Sequence, residues 1–218
     1  MGSKRKLILV GAGAAGGEIL SWLNDVPEKD RDWELGGFLD DSLSESEEGT
    51  VLGKISDHVV SPENVYLCTI GKGTVRLKIC RALVQQKAQF ISFIHPTVRL
   101  DPSAKVGAGC IIAPFAYIGP KAELGDFCLV NVQSSIGHHV RLAAGCTLNS
   151  HVDLTGYVIA DEAATFGSHA CVLQNIHIGA ESVVGAGSLA VRDVRPGTTV
   201  LGLPAKRLPS FVSIGHEI

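Results

Sequence analysis

The chain has 218 residues, 45% of them hydrophobic and only 6% aromatic, with 25 glycines and a formal charge of −3. An isoelectric point near 6.2, with no Lys/Arg cluster interleaved with aromatic residues, argues against a nucleic-acid binder and against attachment to an anionic membrane. The length accommodates two small domains, or one small domain and a solenoid.

Lys6 to Val10 reads as a buried strand. The apolar run is too short for a secretion signal or a membrane span, so a cytoplasmic protein is expected. Gly11-Ala12-Gly13-Ala14-Ala15-Gly16-Gly17 then turns into the amphipathic stretch Glu18 to Leu23. Glycines at 11, 13 and 16 let a ligand approach the backbone closely and offer helix amino-terminal N–H groups to phosphate, although glycine turns also serve helix packing. A second strand ends at Gly37-Phe38-Leu39-Asp40-Asp41, and Ser42 to Gly49 forms an acidic loop. A third strand, Asn64 to Ile70, meets Gly71 and the helical run Thr74 to Lys87. Alternating strands and helices predict a small parallel sheet with ligand at the strand ends. Residues 1–95 make half a dinucleotide fold, which favours one nucleotide moiety over NAD. Ser92 to Pro96 joins this domain to the carboxy-terminal part of the chain.

From Leu100 to Ala190 every sixth residue is apolar: Leu100, Val106, Ile112, Ile118, Leu124, Val130, Ile136, Leu142, Leu148, Leu154, Ala160, Phe166, Val172, Ile178, Val184, Ala190. Four positions after each comes a second lattice of mostly small residues, among them Ala116, Cys128, Ser134 and Ala164. A fixed short period is the mark of a solenoid. One short strand and one tight turn per hexad, three hexads to a coil, stack into a parallel β-helix with coils about 4.8 Å apart. Cys110, Cys128 and Cys146 fall on the small inward lattice 18 residues apart, so packing explains them without a metal or a disulfide. His151 and His169, also 18 apart, are expected to stack on adjacent coils.

Pairs such as Ile118-Gly119, Ile136-Gly137, Ile178-Gly179 and Val184-Gly185 resemble those of the hexapeptide-repeat acyltransferases, whose β-helices are left-handed. Together with Val10-Gly11-Ala12-Gly13, Phe38-Leu39-Asp40-Asp41, Ile70-Gly71 followed by Arg76, Ile94-His95-Pro96, Asn131 to His138, and Gly202-Leu203-Pro204-Ala205-Lys206-Arg207, the chain resembles the NeuD/PglD-type sugar acetyltransferases. The resemblance implies an α/β plus all-β protein: a Rossmann-like nucleotide-sugar domain over residues 1–95 and a left-handed β-helix over 96–218. It implies a homotrimer with active sites between subunits that acetylates the 4-amino group of a UDP- or GDP-linked 4-amino-6-deoxy sugar for surface glycan synthesis. Acetyl-CoA is then the co-substrate and no metal is needed. Sialic-acid-type O-acetylation and a non-catalytic nucleotide scaffold are the rival readings.

Residue by residue, the resemblance places Gly11, Gly13, Ala14 and Ala15 against phosphate or sugar, Asp40 and Asp41 against base and ribose, and Gly71 and Arg76 at the nucleotide edge. His138 matches the proton acceptor, with Asn131 beside the amine. His139 stands where the family usually has Glu or Asp. Thr147, Gly156, Ser168 and Ala186 match positions along the acetyl-CoA groove, and Lys206 and Arg207 lie near the coenzyme phosphates.

Overall fold

The computed structural model describes residues 4–47 and 49–208, so His216 and part of the Ser42–Gly49 loop lie outside the described residues. The amino-terminal part is a five-stranded parallel sheet of β1 (Arg5–Val10), β2 (Trp33–Leu39), β3 (Val51–Gly53), β4 (Asn64–Cys68) and β5 (Gln89–Phe90), in the order β3-β2-β1-β4-β5. Two helices cover it, α1 (Ala14–Asn24) and α2 (Gly73–Gln85). The apolar run of β1 follows from this arrangement, because a strand covered on both faces has no polar side to alternate with. Leu7 and Leu9 pack with Ile19, Leu20 and Leu23 of α1, whereas Ile8 and Val10 pack with Leu77, Cys80 and Leu83 of α2. The first helix starts at Ala14, so the second half of the glycine turn belongs to its first turns. Gly16 has to be glycine there, since a Cβ would lie 2.5 Å from the Gly11 carbonyl oxygen.

The hexads form three faces of a left-handed β-helix. The first face carries the pairs 93–94, 111–112, 129–130, 147–148, 165–166 and 183–184; the second runs from 99–100 to 189–190 and the third from 105–106 to 177–178. Each strand pairs in parallel with the strand 18 residues on, as in Leu129 with Thr147 and Val130 with Leu148. Every aliphatic position from Ile112 to Ala190 is at most 4% exposed, and Cys110, Cys128 and Cys146 are buried in the same column. Each of these thiols also points at a carbonyl 15 residues on, 3.2–3.3 Å away: Gly125, Ala143 and Asp161.

Corner residues adopt positive φ even where they carry side chains, including Gln133, His139, His151, Tyr157 and His169. Such a conformation is uncommon for non-glycine residues. Here it is held by the stacked coils: His139 N–H donates to the Pro120 carbonyl at 2.9 Å and Tyr157 N–H to the His138 carbonyl at 3.0 Å.

The change of sheet falls between Phe90 and Phe93, so the first β-helix strand, Phe93–Ile94, precedes the expected 95/96 boundary. The two parts share their cores. The α1 side of the sheet continues into Phe93, Ile111, Ala113 and Leu129, and the α2 side into Phe127 and Ala163. The outward residues Phe93, Ile111, Leu129 and Thr147 of the first face are therefore buried, whereas outward residues of the other two faces such as Tyr117, Asp153 and Ile159 meet solvent. Among the described residues no helix is long and apolar enough to cross a membrane.

Candidate active site

Because β1, β2 and β4 are parallel, the segments that follow them gather at one edge of the sheet. They are stitched together by short hydrogen bonds. Gly11 N–H donates to the Leu39 carbonyl (2.8 Å), Ala12 N–H to Asp40 Oδ2 (2.8 Å), and the Thr69 hydroxyl to the Gly11 carbonyl (2.6 Å). Asp40 Oδ1 accepts the N–H groups of Ser42 and Leu43, and Asp41 Oδ1 that of Ser56. Partial burial pushes the Asp40 carboxyl up, but the donors Ala12, Ser42 and Leu43 outweigh it and leave the group below the usual carboxylate range. Asp40 thus holds the glycine turn against the end of β2, a role the sequence did not disclose.

Both helices open onto this edge without a side-chain cap, α1 at Gly13 and α2 at Lys72. Their first N–H groups are the donors that a helix start leaves over, and they suit an anion. Gly13 and Ala14 are exposed, with Ala15 and Gly71 half-buried, so backbone and space are both open to a ligand.

Arg76 does not belong to that opening. It is 1% exposed, inside the junction between α2 and the β-helix, and its guanidinium is occupied on every side. Nε donates to the Phe127 carbonyl, Nη1 to the carbonyls of Ile70 and Gly71, and Nη2 to the carbonyls of Gly145 and Cys146 and to Thr147 Oγ1, at 2.7–3.2 Å. Five N–H donors meet six acceptors, which leaves none for a substrate. Thr147 is corrected by the same contact. It is 4% exposed on the first face, and its hydroxyl donates to the Gly71 carbonyl at 3.2 Å while receiving Arg76, so its side chain is withdrawn from any coenzyme groove.

His138 stands exposed at the corner between the second and third faces. Its Nδ1 lies 3.1 Å from Nδ1 of His139, and its ring meets Tyr157 edge-on at 5.1 Å, while His139 stacks on Tyr157 at 4.7 Å and 18°. Underneath is Gly156, where a Cβ would come 2.5 Å from Cε1 and 2.6 Å from Nε2 of His138. Gly156 is therefore the floor of the histidine. Desolvation, and then the neighbouring Lys121, His138 and Arg141, hold His139 below the ordinary histidine value. In the tautomer in which His138 Nδ1–H donates to His139, Nε2 of His138 carries the free lone pair.

Asn131 lies at a different corner, between the first and second faces, separated from His138 by the strand Ser135–Ile136. Its Oδ1 accepts the N–H of Val132 at 2.6 Å. Within one chain Asn131 and His138 do not meet. Ser168 and Ala186 share the Asn131 corner, as do His151 and His169, whose rings stack at 4.5 Å and 4°. Lys206 and Arg207 are exposed on a short antiparallel strand at the carboxy-terminal end, where Arg207 borders a cleft with Arg192 and Arg195. The expected coenzyme positions are thus divided between two corners and the end of the coil.

Residues 6–83 match the family described as PglD N-terminal domain. The match lies within the amino-terminal domain. Comparison with curated proteins gives no match. Among solved structures, the acetyltransferase domain of PglB from Neisseria gonorrhoeae FA1090, in complex with acetyl coenzyme A, is 28% identical with a TM-score of 0.82, over 94% of this chain and 100% of that one. PerB from Caulobacter crescentus, in complex with CoA and GDP-perosamine, is 25% identical with a TM-score of 0.83, over 94% and 97%. WeeI from Acinetobacter baumannii AYE, at 23% identity and a TM-score of 0.81, shares the fold. The likeness to these structures extends over nearly the whole chain.

Proposed function

We propose that this protein is an acetyltransferase that moves the acetyl group of acetyl-CoA to the 4-amino group of a nucleotide-linked 4-amino-6-deoxy sugar. The observation that carries the reading is His138: an exposed imidazole, fixed by His139, Tyr157 and Gly156, on a chain that aligns end to end with sugar acetyltransferase structures. The amine attacks the thioester carbonyl, the C–N bond forms, and the C–S bond breaks to release the coenzyme as thiolate. Nε2 of His138 takes the proton that the nitrogen sheds and passes it to the thiolate, a contribution of about 10²- to 10⁴-fold for a well-placed base. The nucleotide lies over the glycine turn and Gly71, with its phosphates on the uncapped helix starts. A threefold assembly supplies the rest, bringing the Asn131, Ser168 and Ala186 corner of one protomer beside the His138 corner of the next.

Thiol release from acetyl-CoA, followed with UDP- and GDP-linked 4-amino-4,6-dideoxy sugars and free sialic acid, tests this. Turnover with one nucleotide amino sugar is expected, together with a fall of at least about 10² in His138→Ala. Turnover with sialic acid alone makes the protein an O-acetyltransferase. Silence across the panel refutes transfer, and an unchanged rate in His138→Ala refutes the base.

A further inference from the structure

A guanidinium buried without any carboxylate beside it is costly unless its donors are all used. Burial works against the charge of Arg76. Its compensation comes wholly from oxygen dipoles, and these belong to two separate parts of the chain. Four lie on the β-helix, at Phe127, Gly145, Cys146 and Thr147; two lie on the segment joining β4 to α2, at Ile70 and Gly71. The Gly71 carbonyl is held twice, by Arg76 Nη1 at 2.8 Å and by the Thr147 hydroxyl at 3.2 Å. With both carbonyls turned inward, the peptide units of this segment have fixed planes, and α2 starts uncapped immediately after it. α2 has further contacts with the β-helix: Gly73 lies against the Gly145 carbonyl and Ala163, Leu77 packs with Phe127 and Ala163, and Arg81 pairs with Glu162 at 3.0 Å.

We infer that Arg76, with Thr147, is a positioning residue for nucleotide binding: it clamps the Ile70–Gly71 segment to the β-helix and so sets the ligand-facing donors at the start of α2. This rests on the reading of Gly71 as the nucleotide edge. The clamp touches no substrate and acts through Gly71. It also ties the strand-end opening to the scaffold that carries His138, alongside the shared cores.

The test is calorimetric titration of the full-length protein with UDP, GDP and, separately, acetyl-CoA, using Arg76→Met, Arg76→Lys, Thr147→Val and Leu77→Ala. Arg76→Met should weaken the preferred nucleotide by roughly tenfold or more, the scale of lost charge-assisted hydrogen bonds. Thr147→Val keeps the shape and the charge, and should weaken it by about threefold, with acetyl-CoA affinity unchanged in each. Arg76→Lys should recover part of the loss. Leu77→Ala separates positioning from packing, since it loosens the same junction and lowers Tm while leaving nucleotide affinity intact. If Arg76→Met fails to fold, Thr147→Val decides the matter. Unchanged nucleotide affinity in Thr147→Val, or an equal loss in Leu77→Ala, overturns the clamp alone. Wild-type protein that binds acetyl-CoA but neither nucleotide overturns the functional reading of Gly71, and the clamp with it.

Discussion

Gly156→Ala probes how closely His138 is placed. The φ of Gly156 lies outside the left-handed region, so alanine fits the backbone, and the nearest atoms to the added methyl are those of the imidazole, at 2.5 Å from Cε1 and 2.6 Å from Nε2. Non-bonded carbon atoms prefer about 3.5–4.0 Å. The ring therefore retreats by about 1 Å, breaking its hydrogen bond to His139 or its edge contact with Tyr157. A displacement of that size at a reacting centre costs about 10²-fold, or about 2.7 kcal/mol of barrier. Steady-state thiol release should show that loss in kcat, with Tm close to wild type because the glycine is not in the buried column. Gly156 also matches a coenzyme position, and a double-mutant cycle separates the two effects. If the methyl acts through the histidine, adding Gly156→Ala to His138→Ala costs little more than His138→Ala alone. Additive losses, or an unchanged kcat in the single variant, would refute the account.

The same geometry sets three further outcomes. His139→Glu places a carboxylate against Nδ1 of His138; this favours the protonated imidazole, so the acid limb of the kcat/KM profile should move to higher pH by about one unit, and a limb that stays or moves to lower pH contradicts the neutral acceptor role. Asp40→Ala removes the acceptor for Ala12, Ser42 and Leu43. Since the folded value of Asp40 is depressed, its stabilisation is present above about pH 4 and is lost as pH falls through the folded value, so the Tm difference from wild type should narrow in acid; a difference constant from pH 7 to pH 3 would count against it. Phe166→Ala empties the largest site in the β-helix column, where Phe166 is fully buried between Leu148 and Val184, and should cost about 3–5 kcal/mol in denaturant unfolding. A cost below about 1 kcal/mol would mean that the coils close over the gap.

The β-helix was legible in the sequence nearly residue by residue. A solenoid repeats one local environment, so a single periodic pattern reports the register of every coil, down to the cysteine column and the stacked His151 and His169. The three central strands and both helices of the first domain were legible as apolar runs and turns. The edge strands Val51–Gly53 and Gln89–Phe90 were not, because an exposed edge of two or three residues has no apolar run to display.

The site was legible only in part, and the reason lies in the geometry of the coil. Nearness along the chain misleads in a three-faced helix. Asn131 and His138 are seven positions apart and stand at different corners, whereas His138 and Gly156, 18 apart, are in contact. The pairs in contact are those separated by a whole coil, so a motif read as a contiguous segment joins residues that the chain keeps apart. Arg76 is a different case. Resemblance alone set it at the nucleotide edge, and the sequence does not show what its guanidinium meets. Its actual partners are five backbone carbonyls and one hydroxyl, and carbonyls are present at every position and leave no mark in the sequence. Where a cation is satisfied almost wholly by backbone, only the fold shows which oxygens hold it.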